Sequence, residues 1–111
     1  MEKIIDKNVN IAKKIITEEV EKAGYQVDRI ILFGSRARGD YEEGSDYDFL
    51  VIINKDLSRV EKIDLAWHIQ KRLAYYIASD IIIKHTDRLE KEKNDKGLLS
   101  YYALGEGVLL G

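Results

Sequence analysis

Apolar residues recur at three- and four-residue steps over residues 2–23: Ile4, Ile5, Val9, Ala12, Ile15, Ile16, Val20 and Ala23. That spacing predicts an amphipathic helix, widened by Ile11 and stopped at Gly24. The pattern then changes. Residues 28–33 end in the run Ile30-Ile31-Leu32-Phe33, which reads as a short buried strand. A polar, glycine-rich stretch follows from Gly34 to Ser45, with a short helical turn possible from Ser35. Residues 47–53 return to apolar character and read as a second strand. Ser58 and Glu61 stand at capping-box spacing. They predict a helix over 58–77, with Val60, Ile63, Trp67, Leu73, Ala74 and Ile77 toward the core. A third strand is expected over 80–84. Short helices are expected over 86–93 and 96–104, and a last short strand within Gly107-Val108-Leu109-Leu110.

The order is helix, strand, loop, strand, helix, strand, helices. It predicts an α/β (α+β) fold in which helices cover a small mixed β-sheet. The chain has 111 residues, which predicts one domain over 1–111. A hydrophobic content of 45% is enough for a core of its own, and nothing in the composition points to disorder.

Composition then narrows the functional classes. There are no cysteines, so disulfides and thiolate metal sites are excluded and a reducing compartment is permitted. No segment approaches the roughly 20 apolar residues of a membrane span, and the charged start Met1-Glu2-Lys3 has no signal-like apolar core. The expectation is a cytoplasmic protein with no membrane association. Eighteen basic residues against 20 acidic ones give a net charge of -2. That balance argues against direct nucleic-acid binding, which favours a basic excess.

Three features carry candidate chemistry. Gly34-Ser35 follows a buried strand. A glycine there lets backbone approach a ligand closely, and a helical turn beginning at Ser35 would offer free N–H groups and a hydroxyl to a phosphate. By itself the pair is a very weak signal and reads as an ordinary strand-to-helix turn. Asp46 and Asp48 stand at i and i+2 where a strand begins, so their carboxylates share a side. Their mutual repulsion is relieved if a cation sits between them, and Mg²⁺ suits such oxygen ligands. Asp80 begins another apolar strand. If that strand neighbours the second, three carboxylates converge in a manner that allows two-metal phosphoryl transfer. Asp80 could equally deprotonate an attacking hydroxyl, or simply cap its strand.

Taken jointly, these residues are more specific than apart. Gly34-Ser35, ten intervening residues and Asp46-x-Asp48 on an apolar strand resemble the signature of the DNA polymerase β-like nucleotidyltransferase superfamily. The strings Gly34-Ser35-Arg36-Ala37-Arg38-Gly39-Asp40 and Ser45-Asp46-Tyr47-Asp48-Phe49-Leu50-Val51 resemble its smallest branch, the minimal nucleotidyltransferases or MNT proteins. The core of the resemblance covers residues 28–84. It implies that Gly34 and Ser35 bind the triphosphate of ATP, that Asp46 and Asp48 hold Mg²⁺, and that Asp80 completes the metal and catalytic set. It also implies a phosphate contact for Arg36, with Arg38 structural or partner-facing.

The resemblance further implies transfer of AMP to a hydroxyl, with a tyrosine of a helical HEPN-type toxin as acceptor and this chain as antitoxin. Two alternatives stand beside it: a non-catalytic antitoxin that neutralises by contact, and a small-molecule transferase of the aminoglycoside type. The latter resembles the same superfamily but has an additional helical domain for the drug.

The remaining candidates read as structural. His68 and His85 have no ligand-spaced partner and are expected at the surface or as caps. Trp67 is expected to pack in the core. Tyr75-Tyr76 and Tyr101-Tyr102 fit either half-buried packing or an interface. The run from Lys84 to Lys96 reads as a solvated helix face.

Overall fold

The computed structural model describes residues 7–87 and 107–110. In chain order its elements are α1 (Lys7–Lys22), β1 (Val27–Phe33), α2 (Ser35–Arg38), β2 (Tyr47–Ile53), α3 (Arg59–Leu73), β3 (Ser79–His85) and β4 (Val108–Leu109). The mixed α/β class is as expected, and so is the short terminal strand. The start of the first helix lies outside the described residues, as do the 96–104 helix, the 86–93 helix beyond Asp87, and Tyr101-Tyr102.

The four strands form one sheet in the order β3-β2-β1-β4. The connection from β1 to β2 runs through α2 and the glycine-rich loop and returns the chain beside β1, so the two strands run antiparallel, and β1 pairs antiparallel with β4 on its other side. The chain must cross over through α3 to pair β3 with β2, and that pair is parallel. Alternation along the strands sorts their side chains to two faces. On one face Ile30, Leu32, Phe49, Val51, Ile53, Ile81 and Ile83 join the buried stripe of α1 and the Leu65-Ile69-Leu73 stripe of α3. On the other, Ile31, Leu50 and Ile52 form a second apolar cluster, with Phe33 and Ile82 packed against it.

Local chemistry sets the helix ends. Tyr25 N–H donates to the Val20 carbonyl where α1 stops before Gly24. The expected capping box is complete: Glu61 N–H donates to Ser58 Oγ at 3.2 Å, and Ser58 N–H donates to Glu61 Oε1 at 3.0 Å. The helices are also tied by charge. Arg72 of α3 reaches α1, with Nη1 donating to Glu19 at 2.8 Å and Nη2 to Glu18 at 3.0 Å.

Helix α3 corrects the sequence expectation in two ways. It ends at Leu73, not at 77, because a turn held by Tyr76 and Ile77 N–H on the Leu73 carbonyl swings the chain into β3. Its inward stripe also differs in part. Leu73 and, past the helix end, Ile77 are buried as expected, together with Leu65 and Ile69, whereas Val60 is 76%, Ile63 60% and Trp67 55% exposed, and Ala74 is exposed too. Residues 60, 63, 67 and 74 and residues 65, 69 and 73 form two apolar stripes on opposite sides of one helix. Only one of them can face the sheet. Trp67 packs locally instead, edge-on to His68 and beneath Lys71 Nζ at 4.9 Å from its ring.

Candidate active site

The sheet brings the candidate residues to one end. Strand β1 ends there at Phe33, and β2 and β3 begin there. In the β1–β2 register Phe33 stands opposite Asp48. In the β2–β3 register Asp48 stands directly opposite Asp80. The parallel crossover thus makes neighbours of two carboxylates separated by a helix in the sequence. Asp46 sits two residues before Asp48, exposed, at the end of the glycine-rich loop.

Two contacts fix the start of β3. Tyr47 N–H donates to the Ala78 carbonyl at 2.9 Å, and Gln70 Nε2 of α3 donates to the Ser79 carbonyl at 3.1 Å. They set where Asp80 begins its strand. Gln70 has no distinguishing signal in the sequence, because its role depends on the crossover.

Gly34 begins α2 at φ 75°, ψ −159°, a backbone region that is essentially restricted to glycine. A side chain there has no room: a Cβ built on Gly34 runs into Asp48 Oδ2. The backbone of the glycine loop and the carboxylate of β2 are therefore in close contact. Ser35 follows as the first residue of α2, half-buried, with the Gly39 N–H closing the turn on the Ser35 carbonyl at 2.9 Å.

The electrostatics follow from this crowding. Burial pushes the Asp48 carboxyl above its ordinary value, and the negative charges of Asp80 and Asp46 push it further in the same direction. Arg38 works against them. Arg38 also pairs with Asp40 at 3.3 Å on the loop. A half-buried carboxylate raised by two like charges is a position that gains from a cation.

The donors are all oxygen, as Mg²⁺ prefers. Among the described residues no group of three or more His, Cys, Asp or Glu side chains is gathered closely enough to hold a metal ion, so the expected convergence of Asp46, Asp48 and Asp80 as a three-carboxylate set is not formed here. Protein groups would then supply only part of an ion's shell, which fits Mg²⁺ because that ion keeps positions for water and substrate phosphates.

Arg36 has contacts that its sequence position does not foretell. Its guanidinium lies between two tyrosine rings, 4.1 Å from the Tyr41 centroid and 4.3 Å from that of Tyr47. Its Nε donates to the Ser45 carbonyl at 3.1 Å. The other singled-out residues lie elsewhere. His68 is exposed on α3, its Nδ1 2.8 Å from the Asp64 carbonyl, and His85 ends β3 at the opposite end of the strand from Asp80. A groove of about 370 Å³ between α1 and α3 is lined by Glu19, Tyr25, Glu61 and His68. It sits by the start of β1, at the opposite end of the sheet from Asp48, and has no glycine loop.

The glycine loop thus stands against paired strand-end carboxylates, and comparison with known proteins gives the class of fold that carries them. Residues 12–106 match the nucleotidyltransferase domain family, and this chain belongs to it. Two Methanocaldococcus jannaschii proteins named as protein adenylyltransferases are similar. One is 36% identical over 82 residues, covering 74% of this chain and 78% of that protein. The other is 41% identical over 58 residues, covering 52% of this chain and 56% of that protein.

Among solved structures, a toxin–antitoxin with AMP-PNP matches 96% of this chain and 73% of its own, with TM-score 0.64 and 21% identity. A tri-AMPylated Shewanella oneidensis HEPN toxin in complex with MNT antitoxin matches 94% of this chain and 69% of its own, with TM-score 0.59 and 19% identity. These likenesses establish the nucleotidyltransferase fold. Among the described residues no helix is long and apolar enough to cross a membrane.

Proposed function

We propose that this chain is a Mg²⁺-dependent protein adenylyltransferase that moves AMP from ATP to a tyrosine hydroxyl of a HEPN-type toxin, and so acts as an antitoxin. The observation that carries the reading is the ladder register that sets Asp48 beside Asp80 while Gly34 backs onto Asp48. The names of the similar M. jannaschii proteins support the activity. The AMP-PNP-bound and AMPylated toxin–antitoxin neighbours support the nucleotide and the partner.

In this reading Gly34 and Ser35 receive the triphosphate, with the Ser35 hydroxyl and the turn's N–H groups donating to phosphate oxygens. Asp46, Asp48 and Asp80 would hold Mg²⁺. The chemistry supplied by the bound ion is neutralisation of the charge that builds on the α-phosphate and the leaving pyrophosphate. The acceptor oxygen attacks the α-phosphorus and the bond to the bridging oxygen breaks. AMP stays on the acceptor and pyrophosphate leaves. Asp80, at the exposed lip of the sheet, takes the proton of the attacking hydroxyl.

The test is incubation with labelled ATP and Mg²⁺, with and without a small helical toxin partner, followed by mass analysis of the partner. The expected product is a partner heavier by AMP on tyrosine, lost on chelation. A partner that is neutralised yet carries no AMP would point to inhibition by contact alone.

A further inference from the structure

We propose that Arg36 is a positioning residue that clamps the loop carrying Asp46, and not a ligand of the triphosphate. The inference rests on reading Asp46 and Asp48 as the metal pair. Among the described residues Arg36 contacts Tyr41, Ser45 and Tyr47, which lie on or beside the 39–46 loop. Tyr41 is on the loop, Ser45 precedes Asp46, and Tyr47 follows it. The Tyr47 ring is buried and stacked on Phe49, with centroids 6.3 Å apart, so one wall of the clamp is fixed to the core. The Tyr41 ring, on the exposed side, closes the other wall.

The guanidinium is held against both rings, a use that lysine does not copy. Its Nε–H grips the carbonyl immediately before Asp46. The loop needs such a tie, because it is bounded by Gly39 and Gly44, both at positive φ, which lend it little stiffness. Within the loop, Ser45 Oγ accepts from Glu42 N–H at 3.2 Å, and Ser45 N–H donates to the Glu42 carbonyl at 3.0 Å. Those bonds shape the turn, and Arg36 fastens it to the sheet. The distance between Asp46 and Asp48 is then set through Arg36.

The test uses Arg36→Lys and, as a milder variant on an exposed ring, Tyr41→Ala. Binding of a non-hydrolysable ATP analogue is measured by calorimetry without metal and across a Mg²⁺ titration, and amide exchange is followed over residues 40–46. In Arg36→Lys we expect the Mg²⁺ midpoint to rise by about tenfold or more. Metal-free analogue affinity should stay essentially unchanged, and exchange over 40–46 should quicken. Tyr41→Ala should shift the same way, by less.

If metal-free affinity falls as far as the Mg²⁺-supported affinity, Arg36 is a phosphate ligand and the proposal is overturned. It is equally overturned if midpoint and exchange both stay at the wild-type value. If the wild type itself shows no Mg²⁺ dependence, the metal-pair reading has failed. Exchange over 40–46 in Arg36→Lys then decides the clamp: quickened exchange upholds it and unchanged exchange overturns it.

Discussion

Asp48 and Asp80 stand opposite each other on adjacent parallel strands, one half-buried and both on the face that carries Leu50 and Ile82. Nothing in the fold of an apolar sheet calls for that pairing. Burial and two neighbouring negative charges hold the Asp48 carboxyl above its ordinary value. Its ionised form is therefore disfavoured in the folded chain relative to the unfolded one.

A dependence of stability on pH follows. Between the ordinary and the raised Asp48 values the folded state binds more protons than the unfolded state, so this group's contribution declines as pH rises through that window. At neutral pH Asp48 is a net cost. Asp48→Asn is expected to raise the melting temperature at pH 7 and to flatten the pH profile in that acidic window, while abolishing transfer. Thermal unfolding at several pH values checks this. An Asp48→Asn protein less stable than wild type at pH 7 would remove the electrostatic argument.

Gly34→Ala tests the close approach of loop and strand. Alanine meets both a backbone region that disfavours it and the Asp48 carboxylate. The expected loss is about 1–3 kcal/mol in urea denaturation, together with loss of triphosphate binding. A variant that kept full stability would mean the loop can relax away from Asp48.

Helix α3 provides a contrast between its two stripes. Val60→Ser or Ile63→Ser should change stability by no more than about 0.5 kcal/mol, since those side chains are already in water. Ile69→Ala, on the buried stripe, should cost about 2–5 kcal/mol. Equal costs on the two stripes would mean that the helix is rotated from the orientation described.

The Arg72 clamp between α1 and α3 makes a fourth stability prediction. Glu19 is only 7% exposed, and Arg72 is the cation bonded to it. Arg72→Met leaves a largely buried carboxylate without its partner and should lower the melting temperature clearly. Adding Glu19→Leu should recover much of that loss, because the stranded charge is then gone. A double variant no better than the sum of its parts would show that the pair is not coupled.

Strand runs and the site's spacing were readable along the chain because each has a local cause. The apolar runs at 30–33 and 49–53 are too short for helices and are bounded by polar residues or glycine, Arg29 and Gly34 for the first and Asp48 and Asn54 for the second. The Gly34-Ser35 turn and the Asp46-x-Asp48 spacing are local as well. The Asp48–Asp80 pairing was readable only conditionally, since it depends on β3 lying beside β2 in one register. The inward face of α3 was misread in part because 60, 63 and 67 satisfy the same periodicity as 65, 69 and 73. Periodicity finds a stripe, but only the tertiary partner selects it. The tyrosine cage around Arg36 was hidden for a similar reason. Tyr41 and Tyr47 flank a loop, and only its folding brings their rings to either side of one guanidinium.

The central claim is that the strand-end carboxylates support metal-dependent transfer of a nucleotide. The most direct measurement is transfer of label from α-labelled ATP to a HEPN-type partner, comparing wild type with Asp46→Asn, Asp48→Asn and Asp80→Asn, each first shown to be folded. The account predicts Mg²⁺-dependent label on a partner tyrosine with the wild type and loss of it in all three variants. Label transfer that persists in a folded Asp48→Asn protein, or that proceeds equally with chelator present, would contradict it.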